Sequence, residues 1–219
     1  MKPGPDRLVR DILRAGIAML KDPASDDLWT LLLDGWEASE VARLRDGFRA
    51  VPPTAKLSWA RSEDPWPLWS VALASESPNT KFLGNSGGKI VRVRPHEDPK
   101  SYRRIAIIMD ATVSVWIVSP NADVVREHSD IAKALIFGAA LDIYGGGYES
   151  FGLQVNHELN PLAAYLPEKL MLREQVWSFL GYEASVQVFP AGYLHPPGYV
   201  GLEGYDLGDG HVGKVEVEH

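Results

Sequence analysis

The 219-residue chain contains no cysteine. Disulfides, thiolate zinc sites and cysteine nucleophiles are therefore excluded. It also lacks a surplus of positive charge. Asp and Glu number 29 against 22 Lys and Arg, giving a net charge of −7 and a pI of about 5.4. Tight binding to a phosphate backbone draws on clustered cations that release counterions, and the chain as a whole has no such excess. A negative balance of this size serves solubility. Long apolar runs are missing too. The first apolar stretch is interrupted by Arg10, Asp11 and Arg14, so neither a signal-peptide core nor a membrane span is expected, and no membrane partner.

What is present suits a globular protein. Apolar residues make up 45 % and charged residues 23 %, enough to build a core and too little charge for wholesale disorder. The length fits one ordinary domain with extensions, or two small ones. The pattern divides the chain into an N-terminal helical segment (1–53), a core (54–189) and an extended C-terminal arm (190–219).

Pro5 suits the first turn of a helix. Leu8, Ile12 and Met19 form one stripe with Val9, Leu13, Ile17 and Leu20 beside it, which predicts a helix over 6–21. Asp26 or Asp27 caps a short second helix through Leu33. Val41, Leu44 and Phe48 share a face of a third, which ends at Pro52-Pro53. From Ala55 the signal is β: strands at Lys56–Arg61, Leu68–Ala74 and Lys89–Arg94. Over Arg104–Val118, apolar residues hold every odd position, the period of a half-buried strand. Fifteen residues would extend roughly 50 Å, so this strand is expected to bend or to reach a partner.

Asn121 then caps a long helix over 122–144, stopped by Gly145-Gly146-Gly147. Strands follow at 149–157 and Lys169–Leu180, with Ser185–Phe189 closing the sheet. The expected class is α+β: N-terminal helices, and a mixed or antiparallel sheet with one long helix packed on it. After Pro190 the chain is rich in Gly and Pro with little periodicity, and it reads as an arm that orders on a partner.

Several motifs invite a chemical reading. Gly84-Asn85-Ser86-Gly87-Gly88 matches the nucleophile-elbow pattern. An elbow needs a helix after its serine, and here a strand follows. None of the six histidines (His96, His128, His157, His195, His211, His219) precedes Ser86, as the chymotrypsin order requires. Ser86 therefore reads as part of a Gly-rich turn, and a serine hydrolase is kept only as an alternative. Gly208–Gly213 matches G-x-G-x-x-G but leaves six residues for the helix that a dinucleotide fold needs. His96-Glu97-Asp98 are adjacent on a loop and do not converge on one ion. Asp206 and Asp209 lack the calcium-loop glutamate. His128 falls on the apolar stripe of its helix, where a packed core histidine is expected. Arg43, Arg45 and Arg49 read as a solvated helix face. Seven tryptophans allow a carbohydrate platform, but core and interface packing fits better. No catalytic residue, metal or cofactor is expected.

The succession of elements carries a resemblance. Val113-Ser114-Val115-Trp116-Ile117 ends a long strand, and the helix with Ile131-Ala132-Lys133-Ala134-Leu135 follows. A glycine stop, the strand Phe151–Val155 and the strand Arg173-Glu174-Gln175-Val176-Trp177-Ser178-Phe179 come next. Over 104–180 and part of the first helix this resembles phage tail-terminator, tail-completion and related neck proteins. The resemblance implies a virion structural protein at the neck of a tailed phage, made in the host cytoplasm. Its ring, a homo-hexamer by the resemblance, would terminate the tail tube and join it to the head connector. Tail-tube and connector proteins would be partners, and DNA would pass without sequence-specific binding. The strands at 56–94 and the tail after Pro190 exceed the compact family pattern. Another portal-proximal connector ring is therefore the nearest alternative.

Overall fold

A computed structural model describes residues 4–58, 60–61, 63–79, 89–91, 103–161 and 170–188. The expected arm (190–219), Ser86, His96, His195, His211, His219, Gly208–Gly213, Asp206 and Trp59 lie outside the described residues. The class is α+β, as the sequence implies.

Three helices open the chain: α1 (Pro5–Lys21), α2 (Asp26–Leu32, after a single tight turn at Pro23–Ser25) and α3 (Ala38–Ala50). Among the described residues the strands are β1 (Thr54–Leu57), β2 (Leu68–Pro78), β3 (Lys89–Val91), β4 (Arg103–Ser119), β5 (Ser150–Asn156), β6 (Asn160–Pro161) and β7 (Met171–Val188). Helices α4 (Ala122–Gly138) and α5 (Ala140–Gly145) stand between β4 and β5. The sheet runs β1-β2-β4-β7-β5, with β3 also on β4 and β6 also on β7. It is mixed: β1 is parallel to β2, while β2 is antiparallel to β4 and β5 is antiparallel to β7.

The chain divides into two compact units, 1–87 with 108–184, and 88–107 with 185–219. In the second, β3 pairs antiparallel with the first residues of β4, Ile90 opposite Ile105. The first holds the core. Buried Val9, Leu13 and Leu20 of α1 and Ile131, Ala132 and Leu135 of α4 pack over Val71, Val113, Val115, Ile117, Trp177 and Phe179 of the sheet. Helices α1 and α4 approach so closely that a Cβ on Gly16 would lie 2.6 Å from Leu135 Cδ1. Their contact thus depends on the absence of a side chain at that position.

Three expectations are revised in detail. The period-two reading makes the Arg104–Val118 strand half-buried, yet Ser114, Trp116 and Val118 are buried as well. The sheet face away from the helices carries a second small cluster of Leu68, Trp116, Val118 and Leu170, with Trp66 packed on it. A strand covered on both faces loses its solvent side, so Trp116 and Val118 break the alternation for a packing reason. The helical span 122–144 is interrupted at Ala139, whose backbone (φ −86°, ψ 16°) leaves the helical region just after Gly138. The two strands expected over 169–180 and 185–189 form one strand, β7. Gly181 sits inside it at φ +68°, a conformation that glycine adopts without a Cβ penalty.

Candidate functional site

The titratable and polar groups that the sequence singles out serve structure wherever they are described. Arg49 donates Nε to Leu20 O (3.2 Å) and Nη2 to Asp22 O (2.9 Å), which caps the C-terminus of α1 with a cation. Arg49 and Arg45 both reach Asp26, at 2.6 and 3.0 Å. Arg43 pairs with Glu127 across to α4. The three arginines are thus occupied in joining α1, α2, α3 and α4.

His128 is 4 % exposed. Its ring centroid lies 5.3 Å from Phe48 and 5.8 Å from Trp69, and Phe48 meets Trp29 edge-on at 5.2 Å. Burial pushes its pKa down to about 4, because a charged imidazolium among aromatic rings would lose its hydration. Neither His128 Nδ1 nor the neighbouring Trp69 Nε1 has a hydrogen-bond partner. His157, by contrast, is exposed just after β5, with Nε2 3.8 Å from Glu174.

Two polar networks tie the sheet to its surroundings. Buried Gln175 on β7 donates Nε2 to Ser129 O (2.7 Å) and Ser129 Oγ (2.8 Å), and its Oε1 accepts from Trp177 Nε1 (3.2 Å). Asp110 Oδ1 accepts from Asn79 Nδ2 and from Gly181 N, both at 2.9 Å. Nearby, Tyr182 donates its hydroxyl to Glu76. Burial, and then the Asp6 and Glu76 carboxylates, push the Tyr148 hydroxyl up to about 12. Burial also pulls the Asp64 carboxyl upward, but hydrogen bonds from Lys56 and from Arg61 N outweigh it and hold Asp64 below the usual carboxylate range.

Among the described residues no three His, Asp or Glu side chains group as a cation site, and no helix is long and apolar enough to cross a membrane. Trp29, Trp69, Trp116 and Trp177 are buried, so none of these four offers an open stacking platform; Trp36 keeps a partly exposed face.

A surface feature stands out more than any cluster of chemical groups. Phe137, Leu141 and Tyr144 form an exposed apolar stripe along the end of α4 and α5. The stripe borders β5, the last strand of the sheet: the Phe151 ring lies 6.1 Å from Phe137 and 5.5 Å from Tyr144. It lies on the helix surface away from buried His128, Ile131, Leu135 and Ile143, and the sequence reading does not single it out. Its signal was the spacing 137, 141, 144, the helical i, i+4, i+7 of a second apolar face. Exposed contiguous apolar side chains of this kind mark interaction surfaces. No protein-family model matches the chain, and no curated protein matches it.

Proposed function

We propose that this protein is a structural assembly subunit with no catalytic role, acting in the ring at the neck of a tailed phage that terminates the tail tube and joins it to the head connector. The observation that carries the reading is strand length. β4 and β7, of 17 and 18 residues, are neighbours in the sheet. Among the described residues β7 outruns its flanking strand, since its pairing with β5 ends at Leu180; on β4 the pairing with β2 ends at Met109 and β3 takes over at Arg104–Ala106. Ordinary strands have about 5–6 residues, and backbone beyond the flanking strands is what an assembling protein offers to a neighbour. The exposed Phe137–Tyr144 stripe supports the same reading, since a subunit must bury apolar surface against its neighbours.

The ring is proposed as a homo-oligomer, a hexamer by the resemblance of the element order. DNA would pass through it without sequence-specific contact, in keeping with the acidic balance. Immunogold electron microscopy of the particles that carry this chain tests the proposal. The label is expected at the head–tail junction; label confined to another part of the particle, or a chain absent from particles, refutes it.

A further inference from the structure

The two outer edges of the sheet differ in a way that selects a partner. In β1, Thr54 N donates to Pro67 O and Ser58 N to Val71 O. The even-numbered residues therefore turn their backbone groups toward β2, and the Ala55 carbonyl faces outward. Arg14 of α1 donates Nε to that carbonyl at 2.9 Å, and Lys56 of the same strand pairs with Asp64. An occupied outward carbonyl and charged side chains along the strand are the devices by which an edge resists further pairing.

β5 has neither device; the irregularity in its pairing with β7 is a register shift between Leu153 and Val155. Ser150-Phe151-Gly152-Leu153-Gln154-Val155-Asn156 carries no charge and no proline. Among the described residues its only strand partner is β7. Val155 is 42 % exposed, and Leu141 on the bordering stripe is 85 % exposed.

We infer that the β5 edge binds a second copy of this chain, which adds its own β5 antiparallel across a two-fold axis. Among the described residues no second strand pairs with this edge, and a strand is the structure that satisfies a row of backbone donors and acceptors. An incoming strand must itself be an edge. Among the described edges, β1 is closed by Arg14 and β3 and β6 have only three and two residues, which leaves β5 to meet β5. The contact is then isologous, and no charge within the strand meets its own image. The Phe137–Tyr144 stripe of each copy flanks the joined strands and gains cover. A two-fold pair has two identical ends, whereas a ring joining two different structures needs unlike faces. The pair is therefore the state of the free protein, shielding the edge until the subunit is incorporated. The pairing itself does not depend on the neck reading.

Sedimentation of the full chain tests it. The wild type is expected to be a dimer. Val155→Lys, which places a charge on the edge, is expected to weaken the dimer about tenfold or more. Leu141→Glu, at a side chain exposed enough to leave folding intact, is expected to weaken it in the same direction. A monomer at the highest soluble concentration overturns the inference, as does any oligomer that Val155→Lys leaves intact. The immunogold result bears on the neck reading alone, so the two can fail separately.

Discussion

Acid should unfold this protein partly through one residue, His128. In the unfolded chain an imidazole titrates near 6.5, whereas burial against Phe48 and Trp69 holds the folded His128 near 4. Above pH 6.5 both states carry it neutral, and its contribution does not vary with pH. As pH falls from 6.5 toward 4, the unfolded chain takes up a proton that the folded chain refuses, so stability drops. At about 1.36 kcal/mol per pH unit, the loss approaches about 3 kcal/mol by pH 4. That is a large part of the ~5–15 kcal/mol of an ordinary domain. Carboxylates also lose stabilising partners in acid, Asp64 among them, so the comparison must be differential. His128→Phe keeps a ring against Phe48 and Trp69 and removes the titration. Urea unfolding of both proteins at pH values from 7.5 to 4 should give curves that separate below pH 6.5, with the variant less acid-sensitive. At neutral pH the variant should match or exceed wild type, because Nδ1 has no partner to lose. A difference that stays flat between pH 6.5 and 4 would refute the reasoning and mean that the ring reaches water or a hydrogen-bond partner.

Other substitutions probe the packing and the polar networks. Gly16→Ala should destabilise by about 1–2 kcal/mol, because the new methyl overlaps Leu135 by more than helix propensity returns; thermal unfolding should also show a smaller cost in a Leu135→Ala background. Gln175→Leu should cost about 2–4 kcal/mol in urea unfolding, since it takes the partner from buried Ser129 Oγ and Trp177 Nε1. Gly181→Ala should lower the melting temperature, corresponding to about 1–2 kcal/mol, because its positive φ and the Glu149 side chain 2.5 Å from the added Cβ both oppose it.

The helices were legible in the sequence because their causes are local. Pro5, the apolar stripe of α1 and the Asn121 cap each act within one turn, and the Asn121 side chain does accept from Asp123 N at 2.9 Å. The period-two run of β4 was equally legible for the face that meets the helices. What lay beyond the sequence was the second face. Whether Trp116 and Val118 meet water depends on Trp66 and Leu170, tens of residues away, and alternation alone carries no information about that cover. The junction within β7 failed for the opposite reason. The sequence reads residues 181–184 as a gap between two strands, but Gly181 at positive φ turns the backbone while Asp110 receives its N–H, and the strand continues.

The candidate surface shows the same division. Its apolar content was written at 137, 141 and 144, and the absence of charge in 150–156 could be read directly. The asymmetry that gives these features meaning was not legible. Arg14 lies in the first helix, where the sequence shows it only as a break in an apolar stretch, yet it closes a strand edge 41 residues later in the chain. Only strand order and the direction of the Ala55 carbonyl turn that arginine into an edge guard. A long-range hydrogen bond leaves no periodic trace, so a sheet's closed edge is a property of the fold. The open edge, by contrast, is half visible as an uncharged strand.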